Sequence, residues 1–141
     1  MPIITKKYLF CASHQYWNPK WTKEQNYSVF GLDINNHGHN YELEVSIEGP
    51  IDQETGFVIN LKVLNKIVEE NVIEYFDHHQ IEKDIPWFSG KQPSTENMVI
   101  YIWDKLVAKI NEPTKLNKIR LKETKNIYTE YSGSKKDKND R

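Results

Sequence analysis

Residues 41–48, "YELEVSIE", alternate without a break. Tyr41, Leu43, Val45 and Ile47 are apolar, while Glu42, Glu44, Ser46 and Glu48 are polar. A period of two predicts a strand with one face on a core and one in water. Nearer the N-terminus, Tyr8, Phe10, Ala12 and His14 share one phase and predict another strand. The period then changes. Leu64, Ile67, Val68, Val72 and Phe76 fall at helical spacing, so a helix is predicted over 61–76. A second helix is predicted after Pro93, with Ser94 or Thr95 as N-cap and Glu96 in its first turn. Its apolar stripe is Met98, Ile102, Leu106 and Ile110. The segments "KIRLKE" (118–123) and "IYTEY" (127–131) predict two final strands with a turn at Thr124–Asn126.

The order strand, strand, helix, helix, strand, strand implies an α+β fold. Its sheet would be antiparallel, with the helices on one face. Residues 1–131 are expected to form a single domain. Exposed edges on so small a sheet invite pairing with another copy of the chain. The last ten residues, "SGSKKDKNDR" (132–141), contain no apolar side chain, and a disordered polar tail is expected there.

Composition narrows the function classes. The chain has 141 residues and a net charge of −1 at pH 7, so no global field draws it toward nucleic acid or membrane. No run of about 18 apolar residues predicts a membrane span. The single cysteine, Cys11, excludes an internal disulfide and fits a reducing compartment. A cytoplasmic location is expected, with no signal peptide.

The candidate chemistry lies in polar residues that interrupt these patterns. In a strand, residues i and i+2 share a face about 6–7 Å apart. His37 and His39 can therefore point to one side, in phase with Tyr41, and His14 is in phase with Phe10 on the strand expected beside them. Three such imidazoles with an open fourth position form the pattern of a catalytic zinc site. The other account is histidines at a turn. "FDHHQ" (76–80) closes the first predicted helix. There a histidine either meets the helix dipole or, oriented by Asp77, exchanges protons with a substrate. Glu123 shares the phase of Ile119 and Leu121. An inward carboxylate must be salt-bridged or must bind a donor-rich ligand.

Together, "FCASH" (10–14), "HGHNYELEVSIEG" (37–49), "TGFVINLKVL" (55–64), "FDHHQIEKDIP" (76–86), "STENMVIYIWDKL" (94–106) and "KETKN" (122–126) resemble the 6-pyruvoyltetrahydropterin synthase family, which includes the 6-carboxytetrahydropterin synthases. The resemblance implies the T-fold, a four-stranded antiparallel sheet with two helices between strands 2 and 3. It further implies a homohexamer, a dimer of trimers, with active sites between subunits. His14, His37 and His39 would be the zinc ligands and Asp77 with His78 the proton-transfer pair. Glu123 would anchor the pterin's amino-pyrimidine edge, with Ser94 and Thr95 lining the pocket. The implied reaction is elimination of triphosphate from 7,8-dihydroneopterin triphosphate to give 6-pyruvoyltetrahydropterin. One departure stands out. The family pattern places a catalytic cysteine four residues before His-Gly-His, and this chain has Asp33 there. A related branch with a carboxylate in this region cleaves the side chain to 6-hydroxymethyl-dihydropterin. That outcome, 6-carboxytetrahydropterin formation, and pterin binding without catalysis are the alternatives.

Overall fold

The computed structural model describes residues 1–134. Four strands, β1 (Ile3–His14), β2 (His37–Glu48), β3 (Lys115–Thr124) and β4 (Ile127–Tyr131), form one antiparallel sheet in the order β1-β2-β3-β4. Strand β2 begins four residues before the alternating segment, so His37 and His39 lie within the strand itself.

The core face of the sheet carries the phases read from the sequence. Tyr8, Phe10 and Ala12 of β1, Tyr41, Leu43, Val45 and Ile47 of β2, and Leu116, Ile119 and Leu121 of β3 are all buried. The opposite face is polar and paired across strands. Glu42 lies 3.4 Å from Lys7 and 3.8 Å from Lys122, Arg120 Nε lies 3.4 Å from Glu44, and the Arg120 guanidinium sits over the Tyr128 ring at 3.6 Å.

The helices close the core. The stretch predicted as one helix runs as α2 (Leu61–Val68), a π turn over Glu69–Ile73, and α3 (Glu74–Phe76). Asn60 caps α2 by accepting from Lys62 N at 2.9 Å. Within the π turn, the Asn71 amide donates to Ile67 O at 2.8 Å, giving the widened backbone a side-chain partner. Leu64, Val68, Val72, Ile73 and Phe76 are buried. A short helix α4 (Ile81–Asp84) and a 3₁₀ turn (Pro86–Phe88) lead to α5 (Thr95–Val107). Ser94 is the α5 N-cap, and Met98, Ile102 and Leu106 are buried as the stripe requires; Ile110 falls past the helix end and is half-buried.

One helix had no sequence signal. The link between β1 and β2 holds α1 (Lys23–Phe30), whose only buried residue is Asn26. Polar bonds and the Phe30 ring at its end, stacked on Trp21 at 5.8 Å, hold it in place of an apolar stripe. Thr22 and Gln25 form a capping box, while Asn26 accepts from Asn18 N at 2.7 Å and donates to Asn18 O and Thr22 O at 3.0 Å each.

Beyond β4 the chain passes across Trp103. Gly133 has φ +87°, and a Cβ there would stand 2.7 Å from the indole ring. Half-buried Ser132 and Gly133 thus continue the packing past residue 131. Of the expected polar tail, residues 135–141 lie outside the described residues. Substituting Gly133→Ala should lower stability by about 1–3 kcal/mol, from the clash and the left-handed backbone together. Chemical denaturation should show a lower midpoint with an unchanged slope.

Candidate metal centre and active site

The antiparallel register of β1 and β2 sets His14 directly opposite His37 and Ala12 opposite His39. Three imidazoles therefore meet at one end of the sheet, and their ligand nitrogens lie within 4.8 Å of one another. A Cβ on Gly38, between the two β2 histidines, would meet Ala12 O at 3.5 Å, an ordinary contact, so no tight approach by β1 demands that glycine.

Backbone carbonyls decide the tautomers. His14 Nδ1 lies 2.8 Å from Pro93 O, and His37 Nδ1 lies 2.8 Å from Asn35 O. A carbonyl only accepts, so each Nδ1 carries the proton and each Nε2 is left with a bare lone pair. Those two Nε2 atoms face each other at 3.1 Å. Two lone pairs repel at that distance unless a cation lies between them. Metal–nitrogen bonds of about 2.0–2.1 Å in a tetrahedron place ligand nitrogens about 3.3 Å apart, close to the spacing seen. The third ligand repeats the signal. His39 Nε2 is buried without a hydrogen-bond partner, since Glu123 Oε1 approaches at 3.1 Å but off the direction of a hydrogen bond. The residues fit a divalent metal.

The electrostatics point the same way. Burial pushes the His14 imidazole down to about 4, aided by its two histidine neighbours and opposed by the Pro93 bond. Burial also lowers His39, with His37 adding to the effect. Neutral imidazoles are what a metal requires.

Two carboxylates border the triad. Asp33 sits in a 3₁₀ turn (Gly31–Ile34), with its side chain 56% exposed and Oδ1 3.6 Å from His37 Nε2. Glu123, at a register shift in β3, stands 4.0 Å from His14 Nε2 as well as beside His39. Burial raises the Glu123 carboxyl, partly offset by His37.

The remaining predicted residues are placed differently. Asp77 ends α3; its Oδ1 accepts from Cys11 N at 2.9 Å and its Oδ2 lies 3.0 Å from His78 Nδ1. The Cys11 bond, above all, holds this carboxyl below its ordinary range. His78 adopts φ 64°, fixed by donation from its backbone N to Cys11 O at 2.6 Å, and its ring is 82% exposed. Neither residue hydrogen-bonds or ion-pairs with the three histidines. The Ser94 hydroxyl accepts from Asn97 N at 3.3 Å, and buried Thr95 bonds Thr129 Oγ1 at 2.8 Å, so both hydroxyls have partners within the chain. Sequence reasoning missed Pro93 and Asn35, which act through backbone carbonyls, and Tyr16, whose ring tilts against His14 at 5.0 Å. A residue-type pattern carries no signal for a carbonyl. Tyr16 could have been found as the in-phase residue two positions beyond His14.

The sequence model describing 6-pyruvoyl tetrahydropterin synthase matches residues 3–134. The chain belongs to the 6-pyruvoyl tetrahydropterin synthase family. The 6-pyruvoyl tetrahydrobiopterin synthase of Dictyostelium discoideum is 37% identical over 131 residues, covering 93% of this chain and 96% of that protein. The human 6-pyruvoyl tetrahydrobiopterin synthase is 36% identical over 132 residues, covering 92% and 90%. The solved Caenorhabditis elegans 6-pyruvoyl tetrahydropterin synthase superposes with a TM-score of 0.83 at 33% identity, covering 95% of this chain and 98% of that one. The sheet and helices are the T-fold of this family. No helix among the described residues is long and apolar enough to cross a membrane.

Purified chain should carry about one divalent metal. His37→Ala should reduce that occupancy to near zero on metal analysis. The metal-free fold should also weaken on acidification. His14 resists protonation down to about pH 4, whereas an unfolded chain takes up that proton near its ordinary value of 6.5. Stability contributed by this group is thus present above 6.5 and declines as pH falls from 6.5 toward 4, which thermal melting of chelator-treated protein would follow.

Proposed function

We propose that this chain is a zinc-dependent lyase converting 7,8-dihydroneopterin triphosphate to 6-pyruvoyltetrahydropterin with release of triphosphate. The observation carrying this reading is the pair of bare Nε2 atoms at 3.1 Å, with one carboxylate beside His37 and another beside His39. Bound zinc would draw electron density from the substrate's side-chain oxygens and acidify the neighbouring C–H bonds. Glu123 accepts the paired N–H groups of the amino-pyrimidine edge, a bidentate match. Asp33 takes the proton from the substrate side chain, in the place where the family pattern has a cysteine. Asp77 holds His78 through Nδ1, leaving Nε2 to return a proton. Ser94 and Thr95, at the start of α5, border the pocket through the segment that also bears the Pro93 carbonyl.

The active assembly is a homohexamer, a dimer of trimers. Strands β1 and β4 both lie at edges of the sheet; the Cys11–Ser13 end of the β1 edge is taken by residues 77–80, and the rest of it and the β4 edge can pair with another copy. Asp77 and His78 are bonded to Cys11, three positions before His14, or about 10 Å along the strand. A second copy placing its own Asp77–His78 over this triad would complete the site. A second product class is favoured by one observation: the residue beside His37 is a carboxylate, a weaker base than a thiolate. Side-chain cleavage to 6-hydroxymethyl-dihydropterin would then accompany slow pyruvoyl formation.

Incubating metal-loaded protein with dihydroneopterin triphosphate and identifying the product by chromatography tests the reading. Pyruvoyl product with free triphosphate supports it, hydroxymethyl product alone transfers it to the second class, and no turnover overturns both. Asp33→Ala should reduce turnover by roughly 10²-fold or more, and Asp33→Cys should raise pyruvoyl formation. Mixing Asp33→Ala with His78→Ala subunits should restore part of the activity. A stable, fully active monomer by light scattering would defeat the shared-site assembly.

A further inference from the structure

Tyr16 belongs to none of the roles assigned above. It is half-buried, two residues past His14, and its ring tilts against the His14 imidazole with centroids 5.0 Å apart. It stacks on Phe30 at 5.4 Å and 20°, and Phe30 stacks on Trp21 at 5.8 Å and 27°. Three rings thus form a wall on one side of the triad. That wall is fastened to the backbone of the turn that bears the carboxylate beside His37. Tyr16 N donates to Asp33 O at 2.9 Å, and Phe30 immediately precedes the 3₁₀ turn bearing Asp33. The Tyr16 hydroxyl has no hydrogen-bond partner among the described residues, and the triad its ring borders carries Glu123 4.0 Å from His14 Nε2 and Asp33 3.6 Å from His37 Nε2. A tyrosine hydroxyl both donates and accepts. No side chain holds this donor, which leaves it for a ligand lying against the triad between Glu123 and Asp33.

We propose that Tyr16 is a further substrate-contacting residue, whose hydroxyl donates a hydrogen bond to an oxygen of the pterin's side chain while its ring flanks the pterin. This rests on reading the site as a pterin lyase. With the ring edge held at Glu123 and the proton acceptor at Asp33, the side chain must run between them, past Tyr16. Tyr16 keeps its proton throughout and makes no covalent bond. Its donor strengthens as negative charge gathers on the substrate oxygen, so its effect falls more on turnover than on ground-state binding.

The test uses metal-loaded native protein, Tyr16→Phe and Tyr16→Leu. Turnover is measured with dihydroneopterin triphosphate, and affinity for 7,8-dihydroneopterin, which lacks the leaving group, by calorimetry. Tyr16→Phe keeps the stack and should lose roughly 10- to 100-fold in kcat, with KM and metal content near native. Tyr16→Leu removes the stack as well and should also weaken dihydroneopterin binding. Native kcat together with native affinity in Tyr16→Phe overturns the proposal and leaves the lyase reading intact. Loss of metal parallel to the loss of kcat assigns Tyr16 to supporting His14 and likewise overturns it. Native protein that neither turns over the triphosphate nor binds dihydroneopterin overturns both.

Discussion

A slip of one residue between β1 and β2 would turn every β1 side chain to the other face of the sheet. His14 would leave His37, and Phe10, Ala12 and Tyr8 would leave the core with it. The register that builds the hydrophobic face is therefore the register that builds the metal centre. Phe10 stacks on Tyr41 at 5.0 Å between ring centroids, four residues from the opposed histidine pair on each strand. Burial of such large apolar side chains, each contributing about 1.5–3 kcal/mol, holds the pairing that repulsion between two imidazole lone pairs would otherwise oppose.

From that corner the constraints spread outward through backbone groups. The Pro93 carbonyl orients His14 from the segment leading into α5, and the Asn35 carbonyl orients His37 from the end of the α1 link. Both connections act on atoms every residue possesses. The α1 link itself is held by the Asn26 amide, which satisfies backbone groups on both sides of a turn. One polar side chain and the Phe30 ring stacked on Tyr16 and Trp21 here perform the task that an apolar stripe performs in α2 and α5.

How much of this could be read from the sequence follows from the same physics. Strands β1, β2 and β3 and the helices beginning at Leu61 and Thr95 were legible because each buries one periodic face, and β4, which has no buried side chain, because β-forming residues follow a short turn. The three histidines and Glu123 were legible because a polar residue in a buried phase has to be satisfied. Helix α1 was not legible, since Asn26 alone is buried and an asparagine in a polar stretch carries no periodicity. The π turn was hidden because Leu64, Val68, Val72 and Phe76 keep a spacing of four through it. Asp33 was placed by its distance in sequence from His37, and it does lie beside that ring, yet mostly in solvent. Asp77 and His78 were recognised as a pair and found as one, but spacing could not say that they bond to Cys11 rather than approach the triad.

The widened turn at Glu69–Ile73 has a geometric meaning beyond the local ladder. A π turn holds one residue more than the α-helical turn it replaces, and each α-helical residue advances about 100° around the axis. Everything after it is therefore set at a rotational phase that an uninterrupted α-helix would not reach. Phe76 enters the core and Asp77 meets Cys11 N in that phase. Relaxation of the stretch to α-helix at unchanged length would swing the Asp77 carboxylate about 100° away from β1, whereas removal of one residue from the turn would let the same relaxation leave it in place. The angular setting of the Asp77–His78 pair is thus written in the winding of a segment that has no hydrogen bond to the metal centre and reaches the pair only through the bond from Asp77 N to Ile73 O.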